Sequence, residues 1–160
     1  MKSDGSKILS RCARYCSEAE RCKSDVMKRL DATALDDAAK RGILEQLVKE
    51  GFIDESRYSR AFVNDKFRFN RWGRRKIFFE LKTRGVPPSV ISDALDKIDP
   101  EAYEETLKDL LEKKKKMLKA HTSRELLAKL AAYGVSKGFE SDLTFKLASQ
   151  ITGATDEEMD

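Results

Sequence analysis

Apolar residues recur at spacings of three and four along almost the whole chain, and no convincing run alternates apolar with polar positions. That is the pattern of helices that each bury one stripe. Ile8, Leu9, Cys12, Ala13 and Cys16 predict a first helix, and Val26, Met27 and Leu30 a short second. Ala39, Ile43, Leu44, Leu47 and Val48 predict a third that ends at Gly51. The pattern restarts with Tyr58, Ala61, Phe62 and Phe69, continues with Ile77, Phe78 and Leu81 as far as Gly85, and passes Pro87 and Pro88 into Val90, Ile91, Ala94, Leu95 and Ile98. A third round follows Pro100. It runs through Leu107, Leu110, Leu111, Met117 and Leu118, then Leu126, Leu127 and Leu130, then Leu143, Leu147 and Ile151. Thr122 and Glu125 have capping-box spacing at the start of its middle helix.

Superposing the rounds exposes an internal repeat. KIFFELKTRGV aligns without a gap on ELLAKLAAYGV at an offset of 49 residues, pairing Ile77 with Leu126, Phe78 with Leu127, Leu81 with Leu130, Gly85 with Gly134 and Val86 with Val135. DVMKRL joins at an offset of 51, bringing Val26, Met27 and Leu30 to the same places. The expected organisation is therefore all-α: three-helix repeats over residues 1–54, 55–100 and 101–152, then a flexible acidic tail over 153–160. One such repeat buries too little surface to stand alone, so the three are expected to stack into an elongated, curved molecule with a long face for binding.

Charge sharpens this picture. The 160 residues carry 32 lysines and arginines against 28 aspartates and glutamates, and four of those acids (Asp156, Glu157, Glu158, Asp160) crowd the end of the chain. Between Lys66 and Arg84 stand eight basic residues (Lys66, Arg68, Arg71, Arg74, Arg75, Lys76, Lys82, Arg84) against one acid, Glu80. An ordinary solvated helix face interleaves the two signs, so a polyanion, or a protein carrying one, is the first partner to consider. On a helical wheel Ile77, Phe78 and Leu81 form the core stripe, whereas Phe79 falls beside Arg75 and Lys82. Lys28 and Ala128 hold the place of Phe79 in the other two repeats, and a place that accepts lysine is not deep core. The basic residues would neutralise phosphates, and an exposed aromatic could stack on a base or fill a partner's pocket. Tyr58, Phe62, Ile77, Phe78, Leu81 and Gly85 are the expected structural core behind them. The run Lys113 to Lys116 fans around its helix and reads as a solvated segment.

Catalytic patterns are missing. The sequence has neither a phosphate-binding loop of the G-x-x-x-x-G-K type nor a G-x-S-x-G elbow, and its single histidine, His121, cannot make a metal-binding pair. No enzyme activity, metal or cofactor is expected. The three cysteines, Cys12, Cys16 and Cys22, lack a fourth ligand nearby for zinc, so Cys12 and Cys16 are assigned to the core and Cys22 to a reduced thiol. No apolar run approaches the ~20 residues of a membrane span, and the N-terminus lacks a signal-peptide core. A cytoplasmic protein is expected.

Two adjoining stretches resemble a known family. GFIDESRYSRAFV (Gly51, Phe52, Ile53, Asp54, Arg57, Tyr58, Ala61, Phe62, Val63) and RWGRRKIFFELKTRGV (Arg71, Gly73, Ile77, Glu80, Leu81, Gly85, Val86) are similar to the central signature of RecX, the bacterial regulators of the RecA recombinase. ERCKSDVMKRL is similar to that family's first repeat and SRELLAKLAAYGV to its third. The resemblance implies tandem helix-turn-helix-like modules that bind RecA, lie in the groove of its filament on single-stranded DNA, and restrain ATP hydrolysis and strand exchange. It also implies binding to single- or double-stranded DNA, a role in DNA repair, recombination and the SOS response, and no cofactor. A monomer suits a chain that must enter a groove. Two other readings share the charge pattern: a freestanding helical DNA-binding module without a recombinase partner, and a scaffold for some other acidic protein.

Overall fold

The computed structural model describes residues 2–154, with side chains from residue 4 onward. Among the described residues there are nine helices and no strand: α1 (Lys2–Glu18), α2 (Lys23–Asp31), α3 (Asp37–Lys49), α4 (Glu55–Arg68), α5 (Arg74–Thr83), α6 (Pro88–Leu95), α7 (Pro100–Met117), α8 (Ser123–Ser136) and α9 (Ser141–Thr152). The all-α expectation holds. Of the expected acidic tail, Gly153 closes α9 and Ala154 is buried, while residues 155–160 lie outside the described residues.

Local chemistry sets most boundaries. Asp36 caps α3 by accepting from the Ala39 amide at 2.8 Å, and Asp99 caps α7 by accepting from Ala102 at 3.0 Å. Thr122 caps α8 through the Glu125 amide at 3.0 Å, but the return bond of the expected capping box lands one residue early. Glu125 Oε2 accepts from the His121 amide at 3.1 Å instead of from Thr122.

At the C-terminus of α5 the Val86 amide reaches back to the Leu81 carbonyl and the Gly85 amide to Lys82, the paired bonds of a Schellman turn. Gly85 supplies the left-handed residue this turn needs, with φ 81°. It is exposed, so its expected place in the core is corrected to a conformational role on the surface. In the third repeat the equivalent bonds run from Phe139 to Gly134 and from Gly138 to Val135, and the left-handed residue is Gly138, φ 97°. The pairing of Gly85 with Gly134 is therefore corrected as well. Helix α8 runs one turn longer than α5, and Gly134 lies within it, where a Cβ would sit 2.5 Å from Thr144 Cγ2. It allows close approach of α9; it does not end a helix.

The chain divides into two compact units. The first comprises residues 1–63 and 80–94, thus α1 to α3, most of α4, the end of α5 and nearly all of α6. Its core includes Cys12, Cys16, Val26, Leu30, Ile43, Leu47 and Ile53, flanked by the partly buried Ile8, Leu9, Met27, Leu44 and Phe52. Cys12, Cys16 and Cys22 are all free and buried, and burial pushes the Cys12 and Cys16 thiols up, away from reactive thiolate. Arg57 anchors the start of α4, its Nε donating to Glu20 at 2.6 Å and its Nη2 to the Gly51 carbonyl at 3.1 Å.

The second unit comprises residues 64–79 and 95–160. Its centre is aromatic. Tyr103 packs between Phe67 and Phe139 at centroid distances of 5.8 and 5.0 Å, with Leu107, Leu111, Leu127 and Leu130 fully buried around it. Each such aliphatic side chain contributes roughly 1.5–3 kcal/mol of burial. Phe69 and Met117, placed on apolar stripes by their spacing, are instead 80% and 77% exposed where α4 and α7 run out. Among the described residues no helix is long and apolar enough to cross a membrane.

Candidate nucleic-acid and partner interface

The basic stretch begins where α4 ends and α5 is docked. In the second unit three consecutive amides at the α5 N-terminus find partners from later in the chain: Gly73 donates to the Lys137 carbonyl at 2.8 Å, Arg74 to the Tyr103 hydroxyl at 2.9 Å and Arg75 to the Gly138 carbonyl at 2.9 Å. These are groups a helix start leaves without partners inside the helix. The approach requires glycine on both sides, because a Cβ on Gly73 would lie 2.3 Å from the Gly138 carbonyl, and one on Gly138 would lie 2.3 Å from Lys76 Cβ. The α8–α9 turn thereby holds the basic helix from beneath.

Two arginines of the stretch are spent on this docking. Arg74 Nη1 donates to Glu140 Oε2 at 2.8 Å while its guanidinium lies over the Tyr103 ring, 3.9 Å from the centroid, and the Tyr103 hydroxyl donates to Glu140 Oε1. Burial pushes the Glu140 carboxyl up, but the Tyr103 and Arg74 hydrogen bonds outweigh it and leave the group below the usual glutamate value. Burial, reinforced by the Glu140 hydrogen bond, pushes the Tyr103 phenol up. Arg71 sits in the left-handed region at φ 55°, and its Nη1 donates to Asp109 Oδ2 at 2.5 Å. Asp109 also pairs with Lys113 at 2.9 Å, and the hydrogen bonds from Lys113 and Arg71 hold its carboxyl below the usual range.

Other side chains of the stretch remain available. Arg75 and Arg68 are exposed and have no side-chain partner among the described residues, and Phe79 is 64% exposed. Lys76 and Lys66 extend over the Trp72 ring, at 4.5 and 4.9 Å from its centroid. Lys137 donates from Nζ to the Asn70 carbonyl at 3.2 Å. Its ammonium is held below the usual lysine value by burial, and then by the neighbouring charges of Lys76 and Arg71. Neither Trp72 nor Lys137 stands out in the sequence reading. Lys137 is 61 positions from Lys76, and only the fold brings them together.

In the first unit Lys82 is exposed on the last turn of α5. Arg84 is occupied, donating to the Glu80 carbonyl at 2.9 Å and to its carboxylate at 3.2 Å, with its guanidinium 4.8 Å from the Phe62 centroid. Tyr58 is buried and Phe62 half-buried, their centroids 6.0 Å apart. Leu81 is fully buried there; in the second unit Ile77 is fully buried and Phe78 half-buried. The expected contact set therefore separates by role. Arg71, Arg74 and Arg84 are held in ion pairs, while Arg68, Arg75, Lys82 and Phe79 face solvent. The lysine run also divides: Lys113 pairs with Asp109, Lys114 extends over Tyr133 and Lys115 donates to the Ile151 carbonyl.

Comparison with known proteins gives this chain relatives. Residues 54–95 match the family model of the RecX second three-helix domain, and residues 101–147 that of the third. The chain is 24% identical over 139 residues to the regulatory protein RecX of Streptomyces coelicolor, covering 87% of this chain and 74% of that relative. It is 27% identical over 151 residues to the regulatory protein RecX of Chlorobium phaeobacteroides, covering 93% of this chain and 96% of that one. A crystal structure of a regulatory protein RecX superposes with a TM-score of 0.81 at 26% identity, covering 89% of this chain and 72% of that one. RecX from Lactobacillus salivarius shares the fold, with a TM-score of 0.87 at 19% identity over 96% of this chain and all of that one.

Proposed function

This chain belongs to the RecX family of regulatory proteins, and we propose that it restrains the RecA recombinase by lying in the groove of the RecA filament on single-stranded DNA. The observation that carries the reading is the solvent-facing side of α5. Arg75, Phe79 and Lys82 fall within about 60° of one another around that helix, and all three are exposed. Arg75 and Lys82 have no carboxylate partner among the described residues. An aromatic ring flanked by uncompensated cations suits a surface made jointly of protein and phosphate. The mechanism is occupancy. A ligand that bridges successive recombinase subunits keeps out the second DNA strand and opposes the movements that accompany ATP turnover. Engaging several subunits at once gives avidity without any single strong contact. On this reading the protein acts in the cytoplasm as a monomer, in recombinational repair and the SOS response, with no cofactor and no chemical step of its own.

The test is charge reversal on α5. Arg75→Glu with Lys82→Glu is expected to abolish binding to RecA filaments while leaving helical circular dichroism and melting unchanged. Binding at the original affinity would reduce α5 to an ordinary solvated face.

A further inference from the structure

The group around Trp72 in the second unit has a feature that the exposed side of α5 lacks. Two of its cations, Lys76 and Lys137, are oriented by neutral partners. Lys76 is steered by the indole ring, 4.5 Å from its centroid, and Lys137 by the Asn70 carbonyl at 3.2 Å. Neither lysine has a carboxylate partner among the described residues, and a ring or a carbonyl orients an ammonium group without cancelling its charge. The nearby acids already have partners of their own, Asp109 in Arg71 and Lys113, and Glu140 in Arg74 and Tyr103.

The backbone fixes this convergence. The Gly73 amide bonds to the carbonyl of Lys137 itself, and Gly138 packs against Lys76 so closely that a Cβ there would stand 2.3 Å from Lys76 Cβ. Like charges held together raise each other's free energy, and Lys137 shows it, its ammonium made less favourable by burial and by Lys76 and Arg71. Binding an anion relieves that cost. Pre-positioning also lowers the entropy lost on binding.

We propose that Lys76, steered by Trp72, and Lys137, held by the Asn70 carbonyl, together bind a phosphate group of a nucleic-acid backbone, so that the third repeat supplies part of the nucleic-acid contact. This inference rests on the reading of the chain as a ligand of a nucleoprotein filament, and it names the chemistry of one contact. The recognition is of phosphate, without regard to base.

Trp72 is the single tryptophan of the chain, so its emission reports this place alone. The full chain is titrated at low salt with a short oligodeoxythymidylate, following tryptophan emission and, in parallel, the anisotropy of the same oligonucleotide carrying a dye. The expected result is a saturable emission change that tracks the anisotropy. Lys137→Gln and Lys76→Gln should each weaken binding about 3- to 10-fold, and each should flatten the slope of log affinity against log salt by about 0.7, the loss of one phosphate contact. Both variants should keep wild-type helical circular dichroism.

Binding by anisotropy with unchanged emission overturns the inference, as do variants that keep the wild-type slope. Inorganic tripolyphosphate displacing the oligonucleotide at lower phosphate concentration than the oligonucleotide needs would make free polyphosphate the ligand and overturn the backbone assignment. Failure of the oligonucleotide to bind also overturns it. None of these results touches the regulator reading, which is decided by ATP hydrolysis in RecA filaments.

Discussion

Gly73 and Gly138 show how much a single Cβ decides at the residue scale. Their backbones meet where the α5 N-terminus rests on the α8–α9 turn, leaving no room for a methyl group on either. Gly73→Ala is expected to cost about 2–4 kcal/mol in urea unfolding, because the obstruction is backbone that cannot swing aside. Gly85→Ala makes the control. Nothing lies within 4 Å of the Cβ it would add, so the left-handed conformation alone should cost about 1–2 kcal/mol. Equal losses at the two sites would mean that the close approach does not exist. Glu140 adds a pH dependence. Its folded-state value lies below the ordinary ~4.3, so its contribution is complete above that value and is lost as pH falls through the lower folded one. Thermal melting of the wild type should therefore fall more steeply between about pH 5 and pH 3 than that of Glu140→Gln. Matching profiles would show that the Arg74–Glu140–Tyr103 network does not contribute to stability.

At the scale of elements, the sequence announces what repeats locally and conceals what depends on distant partners. All nine apolar stripes correspond to helices, because the three-and-four spacing that buries a stripe is a property of a few turns. Ala-Tyr-Gly-Val in α8 looks like Thr-Arg-Gly-Val at the end of α5, yet α8 continues for another turn. What differs is Thr144 of α9 packed against Gly134, a neighbour the local sequence does not show. Gly134→Ala should accordingly destabilise the third repeat by about 1–3 kcal/mol despite alanine's better helix propensity. A stabilised variant would contradict that packing. Thr122→Ala should cost about 1 kcal/mol through loss of the α8 cap, read from the same denaturation curves.

The site was only half legible for the same reason. The excess of basic residues from Lys66 to Arg84 is visible in the chain, but the partners that occupy Arg71 and Arg74 lie 38 and 66 positions away. Lys137 reaches Asn70 across 67 positions, so no window of sequence could have joined it to the group around Trp72. Phe79 was legible because the repeat itself tests the position: Lys28, Phe79 and Ala128 occupy equivalent places, and all three are exposed.

At the scale of the whole molecule the central claim is that this chain of the RecX family acts by where it binds. Its net charge of +4 favours association with a nucleoprotein filament, and this attraction should weaken with salt. The most direct measurement is single-strand-dependent ATP hydrolysis by RecA from the same organism, with this protein added well below the recombinase concentration. The account predicts suppression by far fewer copies than there are RecA subunits, and its loss when Arg75 and Lys82 are both replaced by glutamate. Undiminished hydrolysis at equimolar protein, with tight binding to naked DNA in the same buffer, would contradict it and make the chain a DNA-binding module without a recombinase partner.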